Sequence, residues 1–162
     1  MIPNQTLAEY LKGNIDLEND TIKVALMKNT TEYSPDKDNH NFLSDIFDGG
    51  STGEEFDGTN YIPGFEGAGR KTLSNLSVTV DDTDDEAVFD ADDVTFSSLG
   101  SSTGGQVVEA IVIFKKGSTD DTDARIIKVF DDSEESDLEK QTNGEDFTWS
   151  FNSEGIFNVS NA

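Results

Sequence analysis

At 162 residues the chain has the length of one ordinary domain, enough to hide about 70% of its unfolded surface, and the absence of cysteine excludes disulfides, thiolate metal sites and thiol nucleophiles. The 34 Asp and Glu against 11 Lys and Arg give a formal net charge of -23, which repels DNA, RNA and anionic lipid because binding to those polyanions draws on clustered bases. The opening MIPNQTLAEYLKGN carries no basic, apolar secretion signal and no stretch reaches bilayer-spanning length, so a soluble protein without nucleic-acid or membrane partners is expected.

The first predicted element is TLAEYLKGN, where Thr6 is placed to cap, Leu7, Tyr10 and Leu11 share a helical face, and Gly13 offers the stop. It forms a short helix in an N-terminal arm over residues 1–20. TIKVALMKN alternates Ile22, Val24 and Leu26 with Lys23, Ala25 and Met27, the period of a half-buried strand. Residues 30–69 then break into Gly, Asp, Asn and Pro with scattered aromatics, and read as a long irregular loop, either packed by its own rings or containing short elements without a clear period. Within it, SPDKDNH is a turn that launches one or two helical turns in HNFLSDIF.

Periodicity returns in RKTLSNLSVTV, with Leu76, Val78 and Val80 set against Ser77 and Thr79, followed by the acidic turn DDTDDE. AVFDADDVTFSSL supplies one strand closing at Val88 and Phe89 and a second around Val94 and Phe96. QVVEAIVIFKKG is the most apolar segment and belongs in the middle of a sheet; DARIIKVFDD, DFTWSF and GIFNVSN supply three more strands. Phe147, Trp149 and Phe151 alternate, so they face the core side of their strand. The acidic runs DDTDDE, STDDTDAR and DDSEESDLE read as solvated turns. Strands at this spacing, without long helices between them, predict one all-β domain over residues 1–162, a mostly antiparallel sandwich or barrel-like fold.

Candidate chemistry is thin. Asp36, Asp38 and His40 alternate and are candidate ligands for a cation, but zinc wants more N or S donors than one imidazole supplies, and a calcium loop wants a Gly and a closing Glu that this stretch lacks. Asp36 and Asp38 are better used to cap the following turn. Asp90 and Asp92 are the other candidates for a structural calcium or magnesium ion; strand alternation sends Asp93 to the opposite face, and bonding of these acids to local backbone is the preferred reading. No Ser stands in a nucleophile elbow, Gly64, Gly67 and Gly69 do not form a phosphate loop, and no carboxylate pair stands out among so many acids, so no enzyme and no required cofactor are expected. Phe56, Tyr61 and Phe65, set among Gly and acids, suit a packed loop and a partner-contact surface equally, and are the candidates for partner contact.

The ordered blocks IKVALM, YSPDKDNHNFLSDI, GTNYIPG, KTLSNLSVTVDD, AVFDADDVTF, VEAIVIFKKG and FTWSFNSEGIFNVS span Thr21 to Ser160. In that order they resemble a family of small structural proteins of tailed bacteriophages and of tailed viruses of haloarchaea. The resemblance implies a β-rich, non-enzymatic virion component without catalytic or cofactor residues; the extra acidic turns and FEGAGRK depart from the pattern. It implies location in the virion, a homo-oligomer and contacts with other virion proteins, the major capsid protein first among them. A capsid decoration or turret protein is the leading expectation, a tail tube, adaptor or fibre-associated module the second, and a carbohydrate- or cation-binding module the third. The acidity fits the same picture: in molar salt the screening length falls to about 3 Å and carboxylate repulsion fades. A halophilic, salt-adapted surface is therefore expected, the alternative being an acidic mesophilic protein kept soluble by its charge.

Overall fold

The computed structural model describes residues 1–28, 34, 36–47, 54–101, 105–131, 138 and 140–160. Helices α1 (Asn4–Leu11) and α2 (Leu43–Ile46) accompany the strands β1 (Ile22–Lys28), β2 (Glu54–Glu55), β3 (Lys71–Thr72), β4 (Ser77–Asp81), β5 (Glu86–Asp90), β6 (Val94–Phe96), β7 (Val107–Lys115), β8 (Arg125–Phe130), β9 (Lys140–Gln141), β10 (Phe147–Trp149) and β11 (Phe157–Ser160). The described pairings are antiparallel, and the predicted all-β class with a short N-terminal helix is the class observed.

The largest sheet is built on β1 and β7, paired from Ile22↔Lys115 to Lys28↔Val108. Strands β2 and β3 share the outer edge of β1, and β8 and β9 that of β7. The apolar run VVEAIVIFK thus occupies the middle, as its composition predicts. Strand β1 departs from the half-buried expectation, because Ala25 and Met27 are as fully buried as Val24 and Leu26. The reason is chemical: both are apolar, and a strand covered on two faces tolerates a continuous apolar run. One face turns Ile111 and its partner Phe130 toward β10, where Trp149 lies 5.5 Å from the Phe130 ring. The other presents Phe114, which carries the Arg70 guanidinium 5.5 Å from its ring centre.

Strands β4, β5 and β11 form a second sheet in the order β11-β5-β4, and β6 with β10 a third. VFDADDVTF leaves the second sheet through β5 and enters the third through β6. RKTLSNLSVTV is not one strand: Asn75 takes a φ of 53° and breaks it. Lys71–Thr72 joins the large sheet, and Ser77–Asp81 the second. Stacked and tilted rings, Tyr61–Phe96 and Phe96–Phe147 at 6.1 Å each, tie the third sheet to the aromatic loop in one continuous core. Phe147, Trp149 and Phe151 pack against that core while staying half-buried.

The N-terminal arm is docked on the molecule. Met1 and Val129 exchange backbone bonds, 2.5 Å from the terminal ammonium and 2.8 Å from the Val129 amide. Asn41 and Leu43 bond to Ile126 and Ala124 on the same side. These contacts cover the outer edge of β8, which would otherwise offer unpaired amides to another chain. Thr6 does not cap α1, in correction of the sequence reading. Pro3 stands before the first turn and its carbonyl accepts the amides of Thr6 and Leu7; the Thr6 hydroxyl is buried and donates to the Ile126 carbonyl at 2.6 Å. Gly13 ends the helix as expected, with a φ of 71°. Because Thr6 faces β8, Leu7 and Leu11 turn outward, and Leu11 is 91% exposed.

Candidate interaction surface

The second sheet begins with the hairpin that DDTDDE closes. The Asp81 carboxylate accepts the amides of Thr83 at 2.7 Å and Asp84 at 3.2 Å, and these bonds hold it below the usual carboxylate range. The reading of DDTDDE as a solvated turn holds. Register then fixes the faces: Val78, Phe89 and Phe157 lie in one cross-strand row, and Val80, Ala87 and Val159 in the next. Residues directly opposite in a ladder share a face, so these six make one apolar surface, while Thr79, Val88 and Asn158 point the other way.

The first row is partly roofed by the N-terminal arm. Tyr10 stacks on Phe157 at 5.7 Å, and Glu18 accepts the Val78 amide at 3.3 Å. Tyr10, Ile15 and Leu17 face Val78, Phe89 and Phe157 across a groove of about 450 Å³. The second row has no roof among the described residues: Val80 is 76% exposed and Val159 60%. It floors an adjoining depression of about 420 Å³ that shares Ala87 and Val159 with the groove. The charged residues lining the two are Asp16, Glu18, Asp81, Asp82, Asp85 and Glu86, with no Lys or Arg. An apolar floor inside a purely anionic rim is the result.

A second constellation serves a different end. Buried Arg70 donates to Glu55 through Nε at 2.8 Å and one terminal nitrogen at 2.7 Å, and to Asp121 at 2.5 and 2.7 Å. Glu55 also accepts the Tyr61 hydroxyl and the Gly64 amide, both at 2.9 Å. Burial opposes the charge on Arg70, yet its bonds to Asp121 and Glu55 outweigh that cost and raise its pKa. Nearby, Lys28 pairs with Glu54 at 2.9 Å and Asp57 at 3.0 Å. The charges satisfy one another, so the cluster clamps the aromatic loop and the 118–124 turn to the large sheet. Sequence reading missed it because Arg70 lies 15 residues from Glu55 and 51 from Asp121. Asp121 thereby leaves the solvated class assigned to STDDTDAR, and Asp131, from DDSEESDLE, is buried as well; residues 132–137 and 139 of that run lie outside the described residues.

The candidate cation ligands other than Asp90 divide among local bonds. Asp36 accepts the amides of Asp38 at 2.9 Å and Asn39 at 3.1 Å and the Asn39 side chain at 2.7 Å; the side-chain bond contributes most to holding its pKa down. Asp38 accepts Asn4 at 2.6 Å, and His40 is buried with Nδ1 accepting the Asp36 amide at 3.2 Å. Asp36 therefore caps the turn, whereas Asp38 ties it to α1. Asp90 closes β5 opposite Ser77; Asp92 accepts Ser74 at 3.1 Å and Asn75 at 2.6 Å; Asp93 accepts the Phe151 amide at 3.2 Å. Asp92 and Asp93 thus reach separate neighbours, while the Asp90 Oδ1 is buried without a hydrogen-bond partner among the described residues. No group of three or more His, Asp or Glu converges as a metal site among the described residues.

The candidate contact residues are redistributed. Phe56 and Tyr61 are buried, their rings edge to face at 5.5 Å, so neither offers surface to a partner. Of the two uses that their Gly- and acid-rich neighbourhood leaves open, a packed loop and a contact surface, Phe56 and Tyr61 take the first, because the Arg70 clamp folds that loop inward. Phe65 is half-buried beneath Lys116, whose ammonium lies 5.5 Å from its ring centre. The structure instead offers the Val80 row, which the sequence alone shows only as one stripe of a strand. No family model matches the chain, and no curated protein and no solved structure matches it either.

Proposed function

We propose that the chain is a non-enzymatic structural component of a tailed-virus particle, a capsid surface protein of the decoration or turret kind that oligomerises and contacts neighbouring virion proteins in high salt. The observation that carries this reading is the β scaffold with the Val78–Val80–Val159 face left open to solvent: contiguous apolar side chains on an otherwise highly charged protein offer a place of contact. The ordered sequence blocks from Thr21 to Ser160 support the viral setting. Leu7 and Leu11 on α1 give a second apolar patch for self-association.

Mass spectrometry of separated heads and tails tests the reading. The chain is expected in the head fraction at a stoichiometry tied to the shell lattice. Recovery with tails alone would move it to a tube, adaptor or fibre position, and absence from the particle would end the structural reading.

A further inference from the structure

The open face specifies the chemistry of what covers it. We infer that the groove between the N-terminal arm and the β4-β5-β11 sheet docks a segment of a partner protein whose apolar side chains are flanked by Lys or Arg. This rests on the reading of the chain as a binding component, and it adds the face used and the partner's character.

Three observations converge. The floor is apolar and continuous, running from Phe157 and Phe89 through Ala87 and Val159 to Val80. Its volume suits a few side chains of an inserted segment. The six charged residues that line the groove and depression are all acids, at both ends: Asp16 and Glu18 beside the arm, Asp81, Asp82, Asp85 and Glu86 beside the hairpin turn. A second copy of this chain brings a net charge of -23 to that rim, whereas a segment with basic flanks neutralises it. Like-charge juxtaposition across an interface disfavours the wrong partner, and a docked segment shields the rim from the salt that screens exposed charges, so the rim selects as well as attracts.

The test uses the full chain, isotopically labelled, at the lowest salt in which it stays folded. Three ten-residue acetylated peptides are titrated and followed by amide shifts: one alternating Val and Lys, one Val and Glu, one Ser and Lys. The Val–Lys peptide is expected to perturb residues 15–18, 78–81, 86–89 and 157–160, and to bind at least about tenfold more tightly than either control. The V80T/V159T variant is expected to weaken that binding about tenfold while keeping its melting temperature, since Thr adds no charge and suits a strand, and both side chains already face water. Equal binding of Ser–Lys, equal binding of Val–Glu, shifts spread over the acidic surface, or no binding would each overturn the proposal. Concentration-dependent dimerisation that buries the same residues would also overturn it, in favour of a second copy. Because the peptides measure the groove and head–tail mass spectrometry measures the setting, either idea can fail alone.

Discussion

Arg70 is the cation that Glu55 and Asp121 share, and both carboxylates are largely shielded from water. Arg70→Leu leaves them facing each other without it; removing one side of a buried ionic cluster costs about 3–5 kcal/mol, far more than a surface pair. Urea unfolding should show a loss of that size, and a loss below about 1 kcal/mol would mean that the cluster is not what clamps the loop. At Asp123 the same logic gives a pH dependence. Its carboxylate accepts the Ser118 hydroxyl at 2.6 Å and amide at 2.8 Å, and these bonds lower its pKa from 3.8 to about 2. A depressed folded value stabilises the native state above the unfolded pKa, and that contribution is lost as pH falls through about 2. Thermal melts of Asp123→Asn should therefore fall less steeply between pH 4 and pH 2; an unchanged slope would contradict the assignment.

At the scale of elements, the third sheet position in β4-β5-β11 depends on the turn at Gly155, which has a φ of 72°. A methyl group there would lie 2.6 Å from the Phe89 carbonyl oxygen. Gly155→Ala should cost about 1–3 kcal/mol in a denaturant melt, and a neutral result would show that β11 tolerates displacement. The strands themselves were legible: apolar alternation marked β1, β4 and β10, apolar segments between polar turns marked β5, β6, β8 and β11, and the apolar run of β7 marked the sheet centre. Local pattern failed where distant groups decide. Two-residue strands such as β2, β3 and β9 have no period to read, and exist through pairing with β1 and β7. Thr6 looks like a cap in isolation but is spent on the Ile126 carbonyl, 120 residues away. For the candidate surface, sequence showed that Val78 and Val80 share a stripe; whether anything roofs that stripe depends on the placement of the N-terminal arm.

At the scale of the whole molecule, 34 acids against 11 bases make the compact state self-repelling in dilute buffer. Screening at molar salt reduces repulsion between exposed carboxylates, while buried clusters such as Arg70 with Glu55 and Asp121 feel it less. The melting temperature should therefore climb from low salt toward molar KCl, and a flat or falling profile would remove the salt-adapted reading. With the edge of β8 covered and the core continuous across three sheets, one apolar face of the second sheet stays open to solvent, and it is the face proposed for contact. A density map of the intact particle at side-chain resolution tests that assignment most directly. It should show this chain on the shell with Val80 and Val159 covered by a neighbouring protein and basic side chains opposite Asp81, Asp82 and Asp85. A shell-bound chain with that face open to solvent, or a particle lacking the chain altogether, would contradict it.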